Sequence, residues 1–128
     1  MAIFPERQRG LSRLNQHFEA ARGLVAARYP GLAGSRLFVT CPQIDKARKG
    51  GNLRYFMHVG HFPQTICAHA DTEHLPSQNL RGLFLHEFGH LMVGPKGTEA
   101  DANMAVFEAF GIRILYDKNA VQYIEGVS

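Results

Sequence analysis

Two histidines and a glutamate between residues 86 and 90 give this sequence its clearest chemical signature. The segment reads His86-Glu87-Phe88-Gly89-His90. Side chains four positions apart lie on one face of an α-helix, so the two imidazoles can bind the same metal ion. Glu87 lies beside that face, where it can take a proton from a metal-bound water. Zinc is the ion we expect, because imidazole suits it and it has no redox chemistry.

The rest of the same helix favours a metal site over two ordinary core histidines. A helix that is apolar nearly all round is buried. Buried imidazoles and a buried carboxyl then need partners, because an unpaired buried polar group costs several kcal/mol. A metal ion would satisfy them. The alternative is a pair of core histidines bonded to backbone carbonyls. The apolar residues on the other faces of the helix are Leu80, Phe84, Leu85, Phe88, Leu91 and Met92.

The third ligand is expected on the next helix. At about 100° per residue, Glu99 and Asn103 fall within the apolar stripe of that helix, whereas Asp101 and Glu108 fall on the opposite side. An inward-facing glutamate and asparagine are unusual without a function. We therefore predict Glu99 as the third zinc ligand and Asn103 as the partner that orients one ligand histidine. The alternative for Glu99 is a first-turn residue favoured by the helix dipole.

The two motifs together resemble those of the gluzincin metallopeptidases, most closely the minimal members and the ImmA/IrrE-like and HtpX-like groups. In these proteins a Glu-x-x-x-Asp/Asn element supplies the third zinc ligand and its helper, and here that element is Glu99-Ala100-Asp101-Ala102-Asn103. The resemblance covers about residues 65–110. It implies a zincin-like fold, with a twisted sheet whose edge strand binds substrate, an active-site helix and a glutamate helix. The implied activity is peptide hydrolysis, in which Glu87 activates a zinc-bound water that attacks a peptide carbonyl.

Two features depart from the family pattern. Only eight residues separate His90 from Glu99, although the turn at 94–97 is suited to a sharp reversal. The chain also lacks most of the lower subdomain that builds a specificity pocket in larger members. A second hypothesis therefore stays open: a weak or inactive zincin that serves as a zinc-stabilised binding or regulatory module.

A hydrolase of this kind also needs a donor for the developing oxyanion. The candidates are His69, His74, Tyr116 and Tyr123, and the sequence does not rank them. Each residue type is also typical of surface or packing positions.

Cys67 offers a further alternative. Peptide deformylases combine a His-Glu-x-x-His helix with an upstream cysteine ligand on a strand, and Cys67 lies nineteen positions before His86. The surrounding Thr-Ile-Cys-Ala-His does not match the deformylase motif. Packing as a small buried hydrophobe is the other explanation for Cys67 and for Cys41.

The order of the expected helices and strands predicts a small α+β fold with a mainly antiparallel sheet. Helices are expected at about 12–29, 77–93 and 99–110, the first capped by Ser12 and the last by Thr98 with Asp101. Strands are expected at 36–41, 53–59 and 65–70, with a polar turn at 45–52. The tail from 112 is expected to hold a short strand or turn and then a helical turn or two. Residues 65–70 directly precede the active-site helix, where an extended peptide could add as a strand, or they form an ordinary sheet edge.

Length and composition bound the protein class. The 128 residues, 45% hydrophobic and with two cysteines, predict one domain over 1–128 that needs no disulfide framework. No segment resembles a signal peptide or a membrane span, so a cytoplasmic location is expected. The net charge of +3 is mildly basic and accompanies no nucleic-acid-reading motif. Nucleic acid is therefore an unlikely partner, and a peptide or protein substrate is expected; the sequence gives no oligomeric state.

Overall fold

The computed structural model describes residues 5–51 and 56–125 of the chain, and its architecture is α+β as predicted. The helices are α1 (Pro5–Arg28), α2 (Pro42–Lys49), α3 (Ser77–Val93) and α4 (Glu99–Phe110), with short 3₁₀ turns at Pro30–Leu32 and Ala70–His74. The strands are β1 (Arg36–Phe38), β2 (Met57–His58), β3 (Thr65–Ala68), β4 (Leu115–Tyr116) and β5 (Gln122–Tyr123). No helix in the described ranges combines the length and apolarity needed to cross a membrane.

The three-stranded sheet is mixed, with one parallel and one antiparallel pairing, where a mainly antiparallel sheet was predicted. Its strand order is β1-β3-β2. β1 runs parallel to β3, with Arg36 opposite Thr65, whereas β2 runs antiparallel to β3, with His58 opposite Cys67. A parallel pair requires a crossover connection, and residues 39–64 provide it. β3 is therefore the central strand, and the prediction that 65–70 offers a free edge to a peptide was wrong.

Helix α2 occupies most of the segment that we predicted as a polar turn. It begins with Pro42, whose fixed φ suits the first helical position. Ile44 is buried, while most of the helix is exposed or half-buried. A single buried apolar residue gives almost no periodicity, so the sequence pattern could not reveal this helix. The predicted strand at 53–59 is observed only at Met57–His58, and residues 52–55 lie outside the described part of the chain.

Helix α3 lies at the centre of the molecule and has the bounds that the sequence predicts. It packs against α1, α4, β5 and the sheet. Phe18 of α1 contacts two rings of α3: the Phe84 ring edge-on at 5.7 Å and the Phe88 ring stacked at 5.6 Å. Helix α1 starts at Pro5, so the prediction of Ser12 as its cap was wrong. The buried core also includes Leu14, Ala21, Val25, Met57, Ile66, Ala68, Leu80, Leu83, Leu85 and Val106.

The tail forms a β4–β5 hairpin, where a helical turn after Asp117 was predicted. The Asp117 carboxylate accepts hydrogen bonds from the backbone N–H groups of Asn119 (2.8 Å) and Val121 (3.0 Å). The buried Asn79 of α3 donates to the Asp117 carboxylate (3.1 Å) and to the Gln122 carbonyl (2.9 Å). These bonds replace the helical ones and fasten the hairpin to the first turn of α3.

Candidate metal centre

A close approach of α3 and α4 brings the candidate ligands together. Gly89 lies between the two histidines of α3. A Cβ on Gly89 would lie 2.4 Å from the carbonyl oxygen of Ala102 in α4, far inside van der Waals contact. Only glycine therefore permits this helix spacing. Gly89 received no role from the sequence, although a glycine inside a helix is a recognised indicator of close packing.

The turn between α3 and α4 determines the position of Glu99. Gly94 ends α3 with a φ of 89°, a left-handed value that favours glycine. Thr98 caps α4: its hydroxyl accepts from the Asp101 N–H (3.1 Å), and the Thr98 N–H donates to the Asp101 carboxylate (2.9 Å). This capping box was predicted, and it sets Glu99 as the first residue of α4.

His86, His90 and Glu99 converge as the sequence analysis predicted for a ligand set. The His86 Nε2 atom lies 2.7 Å from Glu99 Oε2, and the His90 Nε2 atom lies 2.8 Å from Glu99 Oε1. Donor atoms around a tetrahedral zinc ion are about 3.4 Å apart. The Glu99 side chain is 67% exposed, so it has room to withdraw by that difference. The atoms that now face the carboxylate are also the imidazole atoms a metal ion would use.

Asn103 is hydrogen-bonded to His86, which is the contact that its predicted role requires. Asn103 Oδ1 can only accept, so the His86 Nδ1–H donates to it at 2.7 Å. In a neutral imidazole this leaves the Nε2 lone pair for a metal. The Asn103 amide in turn donates to the Tyr116 hydroxyl at 3.1 Å, which fixes the orientation of the amide. Tyr116 therefore reaches the candidate site through Asn103.

The two carboxyl groups of the centre have pKa values shifted in opposite directions. Burial raises the pKa of Glu87 to about 8, and the nearby charge of Glu99 adds to the effect. Partial burial also acts to raise the pKa of Glu99, but the charges and hydrogen bonds of His86 and His90 outweigh it, so the pKa of Glu99 lies below its ordinary value. A cation bound between these groups would lower the pKa of Glu87 as well.

The ligand set opens onto a cleft of about 660 Å³. Its walls come from α3, from the turn at 94–97 and from residues 56–60, which include the edge strand β2. Glu87 lines the cleft although only 6% of its surface is exposed. The centre therefore combines three potential metal ligands, a buried carboxyl group and a space open to a substrate.

The four candidate oxyanion donors are not among the described residues that line this cleft. His69 bonds its own turn through the Asp71 N–H and faces Asp45. His74 is exposed and pairs with Glu73. Tyr123 is half-buried in β5, and Tyr116 lies beyond Asn103. His58, which the sequence analysis did not single out, lines the cleft from β2.

Cys67 does not join the two histidines of α3. Its Sγ atom groups instead with Cys41 and His58, whereas the Glu99 carboxylate is the potential donor grouped with the α3 histidines. The deformylase-like alternative therefore lacks its geometry. Cys41, Cys67 and His58 form a second cluster of donor atoms within 4.8 Å of one another.

Comparisons with known proteins add no identification. No protein family, curated protein or solved structure matches this chain.

Proposed function

We propose that this protein is a zinc-dependent metallopeptidase-like hydrolase with a gluzincin ligand set of His86, His90 and Glu99. The observation that carries the proposal is the convergence of both Nε2 atoms on the Glu99 carboxylate, at 2.7 and 2.8 Å, beside an open cleft. Two imidazoles and one carboxylate leave a fourth position free, which is typical of catalytic zinc. When bound, the zinc ion supplies Lewis acidity that polarises a carbonyl and acidifies water.

The residues of the chain have separable tasks in this proposal. Glu87, next to His86 in the cleft, accepts the proton of the attacking water and later returns it to the leaving amine. Asn103 holds the Nδ1–H of His86, which keeps Nε2 directed at the site. The open cleft beside these residues, lined in part by β2, supports a peptide or protein substrate.

Metal analysis and hydrolysis of a peptide library test the proposal together. Zinc-loaded wild-type protein should cleave peptides, and E87Q should keep its zinc but lose cleavage. H86A should lose both zinc at this centre and cleavage. If E87Q cleaved peptides as well as wild type does, the mechanism would be excluded. An H86A variant that keeps the full wild-type zinc content would exclude the ligand set.

A zinc-stabilised binding module is the alternative hypothesis. It predicts the same loss of zinc in H86A but no peptide cleavage by any form.

A further inference from the structure

A second group of potential metal ligands lies away from the α3 histidines, on the outer face of the sheet. Cys67 and His58 are directly opposite each other in the β2–β3 pair. Cys41 reaches them from the residue that precedes α2. The inner face of the same sheet packs Met57, Ile66 and Ala68 into the main core. The cluster thus lies at the junction between α2 and the sheet.

The donor atoms of this cluster have the spacing of a coordination site. The two Sγ atoms and an imidazole nitrogen all lie within 4.8 Å of one another. The Cys41 Sγ atom is 3.3 Å from His58 Nε2. Sulfur and nitrogen ligands of one tetrahedral zinc ion are about 3.6 Å apart, given bonds of about 2.3 and 2.05 Å. Small movements would therefore suffice to seat an ion.

Burial and connectivity suit a bound cation. Both cysteines are free, with exposed fractions of 1% and 0%. His58 is half-buried. Besides the two cysteines, the apolar groups that join α2 to the sheet in this cluster are Ile44 and the half-buried Phe38. So small an apolar cluster contributes little hydrophobic free energy to the packing of α2 on the sheet. A bound metal ion would add a further link between the two.

Packing alone explains the two cysteines but not the imidazole. Buried cysteines often serve as small hydrophobes. His58 Nε2 lies within hydrogen-bond distance of the Cys41 sulfur, at 3.3 Å, and two thiols with one imidazole match the preference of zinc.

We infer that Cys41, His58 and Cys67 form a second zinc site, which fastens α2 to the sheet. The thiolates and the His58 Nε2 atom would supply three ligands. This site is independent of the hydrolase proposal, because it shares no ligand with the centre formed by His86, His90 and Glu99.

Cobalt substitution separates the two sites. Reduced, metal-free protein loaded with Co²⁺ should show a thiolate-to-cobalt charge-transfer band in the near ultraviolet. The band should persist in the double variant H86A/H90A and vanish in C41A/C67A. Zinc analysis should give about two ions per chain for wild type and about one for each double variant. Wild-type protein without the thiolate band, under reducing conditions, would overturn the inference.

A histidine variant guards against loss of the fold in the cysteine variant. H58N keeps both thiols and should bind Co²⁺ at the thiolate site at least about tenfold more weakly. H74A, which changes an exposed histidine, is the matched control and should bind like wild type. Circular dichroism establishes that each variant is folded. Equal affinity of folded H58N and H74A for Co²⁺ would exclude His58 as a ligand and overturn the three-ligand site.

Discussion

The backbone at Gly89 lies against the backbone of Ala102, and a Cβ on residue 89 would meet the Ala102 carbonyl oxygen at 2.4 Å. This contact sets the separation of α3 and α4, on which the distance between the two histidines and Glu99 depends. G89A must therefore push the helices apart. We expect it to cost about 1–3 kcal/mol of stability and to weaken zinc binding at His86 and His90. Urea unfolding of the metal-free protein measures the loss of stability. A zinc titration in the C41A/C67A background, which lacks the cysteine cluster, measures zinc binding at His86 and His90.

Gly23 provides the matched control for this substitution. It lies in the exposed part of α1, and nothing lies within 4 Å of a Cβ built on it. G23A should stabilise the protein by about 0.5–1 kcal/mol, because alanine favours a helix more than glycine. If G89A behaved like G23A in both measurements, the close approach would not control the candidate centre.

Local patterns predicted the parts of the fold that depend on neighbours in sequence. The bounds of α3, the capping box of Thr98 with Asp101, and the convergence of His86, His90 and Glu99 all follow from helical spacing and capping chemistry. Helical periodicity predicted that Glu99 faces α3. Its side chain is nevertheless 67% exposed, because Glu99 lies in the first turn of α4 at the mouth of the cleft.

Long-range relationships escaped the sequence analysis for physical reasons. The parallel pairing of β1 with β3 depends on which strands meet in space, and strands of three and four residues carry no alternation that would indicate it. The hairpin at 115–123 depends on the Asp117 carboxylate, whose partners include Asn79, distant in sequence. His58 joins Cys67 only through the β2–β3 register. The spacing of residue types along one sequence does not reveal these contacts.

Glu87 should make the metal-free protein less stable as the pH rises. Its pKa is about 8 in the folded chain against an ordinary 4.5, chiefly because burial disfavours the carboxylate. The folded state therefore holds a proton that the unfolded state releases, and stability falls between about pH 4.5 and pH 8. The cost is on the order of 3 kcal/mol at pH 7. E87Q removes this titration and should be more stable than wild type above pH 6.

Thermal unfolding in chelator across pH 5 to pH 9 measures this difference. The advantage of E87Q over wild type should grow with pH and level off above pH 8. Added zinc should reduce the advantage, since a cation stabilises the Glu87 carboxylate. A constant difference between the two proteins across that range would show that Glu87 does not titrate as its burial requires.

Asn103 should matter for metal affinity more than for the fold. N103A removes the acceptor of the His86 Nδ1–H, so the imidazole is no longer held with Nε2 directed at the site. Loss of such a partner weakens metal binding about 10–100-fold. Y116F removes only the hydroxyl that contacts the Asn103 amide and should have a smaller effect. Competition with a chromophoric chelator measures both affinities, with H74A as the unaffected control. Wild-type affinity in N103A would remove Asn103 from the candidate centre.

Asp117 should stabilise the protein at neutral pH but not in acid. Its pKa is lowered, first by the hydrogen bond from the Val121 backbone and further by those from Asn119 and Asn79. The ionised form therefore favours folding above the ordinary pKa of 3.8, and this contribution is lost as the pH falls through the lower folded value.

D117A should cost about 1–2 kcal/mol at pH 7. E108A, which removes an exposed carboxylate of α4, is the control and should change little. Urea unfolding from pH 7 to pH 2 should show the D117A deficit shrinking toward zero, because protonation weakens the same hydrogen bonds in wild type. A deficit of constant size would mean that the hairpin does not depend on the Asp117 charge.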